Sequence, residues 1–173
     1  MKYLFIAVIG LSFMVSSCSK KKTSTTTTGT NNSVVVGNWT FNSMSQSNGV
    51  YKEDDVLVAT YTANSSNPSG TLNLKSDGTY TANVGYDYEV TFDFGGSTLT
   101  DNYNIPASST SGTYSYDANT KKLTFTGGFQ TGTFDVTSLS SSALTMKIQV
   151  SSISYSGGVK EESANTTTFN FSK

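Results

Sequence analysis

Histidine and arginine are absent from this 173-residue chain, and cysteine occurs once, at Cys18. These absences remove most catalytic chemistry. Without an imidazole, a serine or threonine nucleophile lacks its usual general base. Zinc and other transition metals lose their main ligands, and only carboxylates remain. Without arginine there is no bidentate fork for phosphates or base edges, and the 11 lysines are outnumbered by 12 acids. A nucleic-acid partner is therefore not expected. A single cysteine cannot close an internal disulfide and needs another explanation.

Carboxylate pairs are the one enzymatic route left, since a glycosidase needs two flanking a cleft. The candidates are Glu53-Asp54-Asp55, then Asp87, Glu89 and Asp93, then Glu161-Glu162. The middle trio alternates with aromatic residues on one strand and should face solvent. The outer two groups read as charged loop or strand-end positions. Calcium at Glu53 to Asp55 would need a spaced oxygen-ligand loop, and none is visible. Gly95-Gly96 does not join a strand to a helix, so no phosphate loop is present. The sequence predicts no enzyme, no catalytic or metal-binding residue and no cofactor.

The N-terminus has a different character. Met1-Lys2 is a short positive region, and Tyr3 to Val15 is almost uninterruptedly apolar. That run falls short of the ~20 residues a spanning helix needs, so a cleaved export signal over 1–17 fits better. Val15-Ser16-Ser17-Cys18 places an aliphatic residue three positions before the cysteine, with small residues between. This resembles the lipobox of bacterial lipoproteins, which implies diacylglycerol on Cys18 and cleavage before it. The resemblance also accounts for the lone thiol. Residues 18–33, rich in Lys, Thr, Ser and Asn, lack the apolar content to pack and read as a flexible tether. Some bacterial lipoproteins carry acids after the lipidated cysteine as a surface-export signal. Lys20-Lys21-Lys22 stands there instead, so the resemblance implies a lipid-anchored position in the cell envelope, at the outer membrane facing the periplasm.

From residue 34 onward the dominant period is two. In Tyr86 to Phe94, Tyr86, Tyr88, Val90, Phe92 and Phe94 share one face, and Asp87, Glu89, Thr91 and Asp93 the other. Leu72 and Leu74, Tyr80 to Val84, Tyr114 and Tyr116, Leu123 and Phe125, Phe134 and Val136, Leu144 to Val150, and Phe169 and Phe171 repeat the pattern. Ser76-Asp77-Gly78-Thr79 reads as a two-residue Asp-Gly hairpin, and Asp117 to Thr120 as a longer one. Gly95-Gly96, Gly127-Gly128 and Gly157-Gly158 mark further breaks. Asp101 to Ser111, with Pro106, reads as a longer loop. About eight to ten strands over 34–173 make one all-β domain, a barrel or a sandwich.

Gly37-Asn38-Trp39 opens the first strand, and Gly70 to Leu74, Asp77 to Tyr80, Gly112 to Tyr116 and Leu123 to Phe125 follow in order. This order resembles the lipocalin-like domain of small bacterial lipoproteins. The resemblance implies an antiparallel up-and-down barrel, with Gly37 and Trp39 at its floor. Classical lipocalins commonly set an arginine against that tryptophan, and this chain has none. An eight-stranded barrel either fills with side chains or holds one small ligand. The candidate lining is Tyr80, Tyr88, Phe92, Tyr114, Phe125 and Phe134. Two functions stay open: binding of a small hydrophobic ligand, or a filled structural module that contacts protein or glycan.

Overall fold

With large side chains at every second position and Ser, Thr or Asn between them, the chain has no helical stripe to bury. It folds as strand. A computed structural model describes residues 32–128 and 130–173. The export segment, Cys18 and the tether up to residue 31 lie outside the described residues. After a 3-10 turn at Asn32–Val34 come β1 (Gly37–Glu53), β2 (Val56–Leu74), β3 (Thr79–Asp93) and β4 (Thr98–Asp117). These are followed by β5 (Lys122–Thr126), β6 (Gly132–Leu139), β7 (Ala143–Ser156) and β8 (Val159–Ser172). Each strand pairs antiparallel with the next, and β8 returns to β1 through Phe171 opposite Phe41 and Phe169 opposite Met44. That last pairing decides for a closed, barrel-like ring over a sandwich.

The ring is closed over only part of its height. β5 pairs with Thr113–Asp117 of β4, and β6 with Leu144, Thr145, Met146 and Lys147 of β7. Beyond them, among the described residues, β4 from Thr98 to Gly112 is paired only with β3. β7 from Ile148 to Ser156 is likewise paired only with β8. The molecule thus has a closed end of eight strands and an open half of six, in the order β4-β3-β2-β1-β8-β7.

The closed end holds the main core. Trp39, Leu72, Leu74, Leu123, Phe134, Leu144 and Met146 are fully buried, with Phe41, Tyr80, Phe125, Phe169 and Phe171 nearly so. Each such side chain contributes about 1.5–3 kcal/mol through burial. Gly37, at φ 147°, takes a backbone conformation that side chains resist. Its missing Cβ also leaves room for Lys173, whose ammonium lies 4.1 Å from the Trp39 ring centroid and donates to Val36 O at 3.0 Å. A lysine thus covers the tryptophan where an arginine is lacking. Trp39 Nε1 donates to Val35 O at 2.8 Å, so the buried indole is satisfied.

Two local readings are corrected. Asp101 to Ser111 is not a loop but lies inside β4. Pro106 and Ala107 form a bulge opposite Gly85, the register passing from Val84–Ser108 to Tyr86–Ile105. A bulge on a strand with one free edge is where proline is tolerated. A second bulge at Asn67-Pro68 sits at the same level on the other side of β3. Asp77-Gly78 is not a two-residue hairpin either. Lys75 N bonds to Thr79 O and Gly78 N to Lys75 O, which encloses three residues and ends in Gly78 at φ 81°. A two-residue turn with both positions left-handed is found instead at Asp54-Asp55, at φ 46° and 67°, between paired Glu53 and Val56.

Candidate functional site

Register and bulges together separate the six candidate lining residues into two groups. Tyr80, Tyr114, Phe125 and Phe134 lie in the closed end, at 1%, 5%, 1% and 0% exposure. Their rings touch one another. Phe125 stands 5.0 Å from Tyr80 and 5.6 Å from Phe134, both edge-on, and Phe134 is 6.1 Å from Phe169. Tyr80 and Tyr114 turn their hydroxyls to the carbonyls of Gly127 and Lys75. These rings pack on each other and fill the space between the strands. Gly37 and Trp39 belong to this same end.

Tyr88 and Phe92 lie in the open half. There the inward register positions of β3 meet Tyr61 and Ala63 of β2 and Tyr103 of β4. Tyr88 stacks on Tyr103 with centroids 5.1 Å apart and planes 22° apart, and Phe92 lies 5.5 Å from Tyr61. Tyr61, Ala63 and Val90 form a second, smaller buried cluster, against which Tyr88, Phe92 and Tyr103 remain half-buried. Tyr86 joins this set to the closed-end core through Phe41 at 5.4 Å. Gly49 is set by close approach: a Cβ there would meet the Tyr61 ring at 2.5 Å. Absence of a side chain on β1 lets that ring lie across the strand.

Polar groups surround these rings. Asn165 Nδ2 donates to the Tyr61 hydroxyl at 3.0 Å, and Thr167 donates to Asn165 at 2.7 Å. Tyr103 donates to Asp101 at 2.9 Å. Tyr51 donates to Glu53 at 3.2 Å, and Glu53 pairs across the ladder with Glu161, which accepts from Ser154 at 3.3 Å. By register, Glu53, Glu161 and Asp101 share the inward face, whereas Lys52, Lys147 and Lys160 fall on the outward one. The inward face of the open half therefore carries negative charge only, among the described residues. Asp87, by contrast, is outward, and hydrogen bonds from Asn67 and Asn104 hold its carboxyl below the usual carboxylate range. Among the described residues no three His, Cys, Asp or Glu side chains are grouped to hold a metal.

Burial pushes the Tyr51 phenol up to about 12, helped by Glu161 and Glu53. It does the same for Tyr103, beside Asp101, and for Tyr86, beside Tyr88. All three therefore stay protonated and able to donate at neutral pH. A raised phenol stabilises the fold fully below its unfolded value of 10, and that contribution is lost as pH climbs toward 12. Denaturant midpoints measured from about pH 9 to about pH 12 are expected to fall over the upper two units. A midpoint that stays flat there would contradict the burial of these hydroxyls.

Sequence reasoning did not single out Tyr51, Tyr61, Tyr103, Asp101 or Asn165. The signal for β4 was present in Asp101-x-Tyr103-x-Ile105, which alternates with Asn102 and Asn104. On the opposite face a hollow of about 360 Å³ is lined by Thr71, Thr81, Asn83, Ser109 and Ser111 among others. Its neutral hydroxyls and amide suit water better than an apolar molecule. No family model matches the chain, and no curated protein or solved structure matches it significantly.

Proposed function

We propose that the chain is a lipoprotein, anchored through Cys18 in the cell envelope at the outer membrane, facing the periplasm. Its β-domain, lipocalin-like in this reading, binds a small hydrophobic ligand. The ligand lies against the open half, on Tyr51, Tyr88, Phe92 and Tyr103, and not within the closed end. One observation carries this. The aromatic lining continues past the filled closed end, and there Tyr88, Phe92 and Tyr103 are only half-buried. A ligand in the closed end would have to displace Phe125 or Phe134, whereas one in the open half covers rings already in place. Glu53, Glu161 and Asp101 repel a carboxylate, so the ligand is neutral or cationic, not a fatty-acid anion.

The test is titration of the full chain with a neutral apolar fluorescent probe. Wild type is expected to take it up saturably, and Tyr88→Ala with Tyr103→Ala to weaken uptake at least tenfold while the fold persists. No saturable uptake, or uptake indifferent to both substitutions, would sink the reading. The second reading is a filled structural module that contacts protein or glycan, favoured by the dense ring packing of the closed end. Native mass spectrometry separates the two, because a co-purifying mass lost on delipidation belongs only to the first.

A further inference from the structure

We infer that the free edge of β7 is a pairing surface for a second copy of this chain. From Ile148 to Ser156 this strand has, among the described residues, no strand paired on its outer flank, and it carries no charge and no proline. Natural edge strands are ordinarily blunted by lysine, proline or a bulge. The other free edge, on β4, is blunted in this way, with Asp101 along it and the Pro106 bulge in its middle. The β7 edge is not. Two of its large apolar side chains also lie in water: Ile153 is 61% exposed and Tyr155 74%.

The hairpin fixes which backbone groups are free. Ser156 and Val159 flank the two-residue turn Gly157-Gly158 and form its hydrogen-bonded pair. Bonding alternates from there, so Ser154, Ser152 and Val150 bond to β8. Gln149, Ser151, Ile153 and Tyr155 point their N–H and C=O groups outward. An antiparallel copy with the two-fold axis at Ser152 sets Ser151 against Ile153 of the other copy and Gln149 against Tyr155. This register pairs outward-pointing groups with each other. It opposes no like charges, since the segment has none. It also places the two Ile153 side chains diagonally adjacent on the exposed face, so each covers the other. A self-complementary strand of this kind specifies an isologous dimer and needs no second surface.

Sedimentation velocity of the full chain in mild detergent tests the assignment. A concentration-dependent monomer–dimer equilibrium is expected for wild type. Ser151→Pro removes an outward N–H without touching the β8 ladder, and Ile153→Lys places a charge beside its own image. Each is expected to raise the dimer dissociation constant at least tenfold. Asn102→Pro, on the β4 edge, is expected to leave it unchanged. A wild type that is monomeric at every concentration overturns the inference. So does a dimer that survives Ile153→Lys, or one dissociated by Asn102→Pro with the far-ultraviolet spectrum intact.

Discussion

Replacing Cys18 by alanine is expected to leave the precursor uncleaved and to abolish incorporation of labelled fatty acid. Cys18 is the only thiol in the chain, so no other residue can take the lipid. Membrane anchoring is expected to be lost along with the label. Each buried methylene contributes ~0.8 kcal/mol, so two or three acyl chains on one residue make release negligible, whereas a single chain binds only marginally. Among the described residues no helix is long and apolar enough to cross a membrane, so nothing there replaces a missing lipid by spanning as a helix. Retained processing and labelling in the alanine variant would dismiss the lipobox reading, and with it the proposed location.

Truncating Phe125 to alanine is expected to cost about 3–5 kcal/mol, read as a drop in urea midpoint at unchanged slope. Its ring is 1% exposed and touches Tyr80, Tyr114 and Phe134. Strands hydrogen-bonded into a ring cannot move in to close the void, so the loss combines lost burial with a persistent cavity. A cost under about 1 kcal/mol would mean that the closed end has slack, and that a ligand could enter it after all. The two expectations concern different parts of the chain. Loss of Cys18 should leave the β-domain folded, and loss of Phe125 should leave lipidation intact.

How far the fold was legible depended on where the strand phase stayed constant. β3 runs from Tyr80 to Phe92 with its inward residues all at even positions, and its alternation is plain. Closure of the ring was not readable from alternation, which left barrel and sandwich both open; only the lipocalin-like resemblance implied a barrel, and the pairing of Phe41 with Phe171 bears it out. Bulges hid the rest. On β4 the inward set is Leu99, Asp101, Tyr103 and Ile105 before Pro106, but Ser108, Thr110 and Tyr114 after it, so a period-two scan loses step midway. On β2 the Asn67-Pro68 bulge shifts Tyr61, Ala63 and Ser65 out of phase with Leu72 and Leu74. The open half, where the half-exposed rings lie, is built largely from these phase-shifted stretches. Its Ser, Thr and Asn also weaken the apolar contrast on which pattern reading relies. Four of the six lining candidates were consequently drawn from the closed end, where alternation is strongest and packing leaves least room.

Trp39 and its covering lysine sit where the described chain begins, and this has a mechanical consequence. A pull applied at Gly37 along the axis of β1 would load that strand directly. β1 is held on one flank by β2 and on the other by β8. The load therefore falls on two ladders in shear, where many hydrogen bonds must yield together instead of one at a time. A buried indole acts as the knot at the point of attachment. Tyr88 and Phe92 of the open half lie on β3 and Tyr103 on β4, strands outside those two ladders.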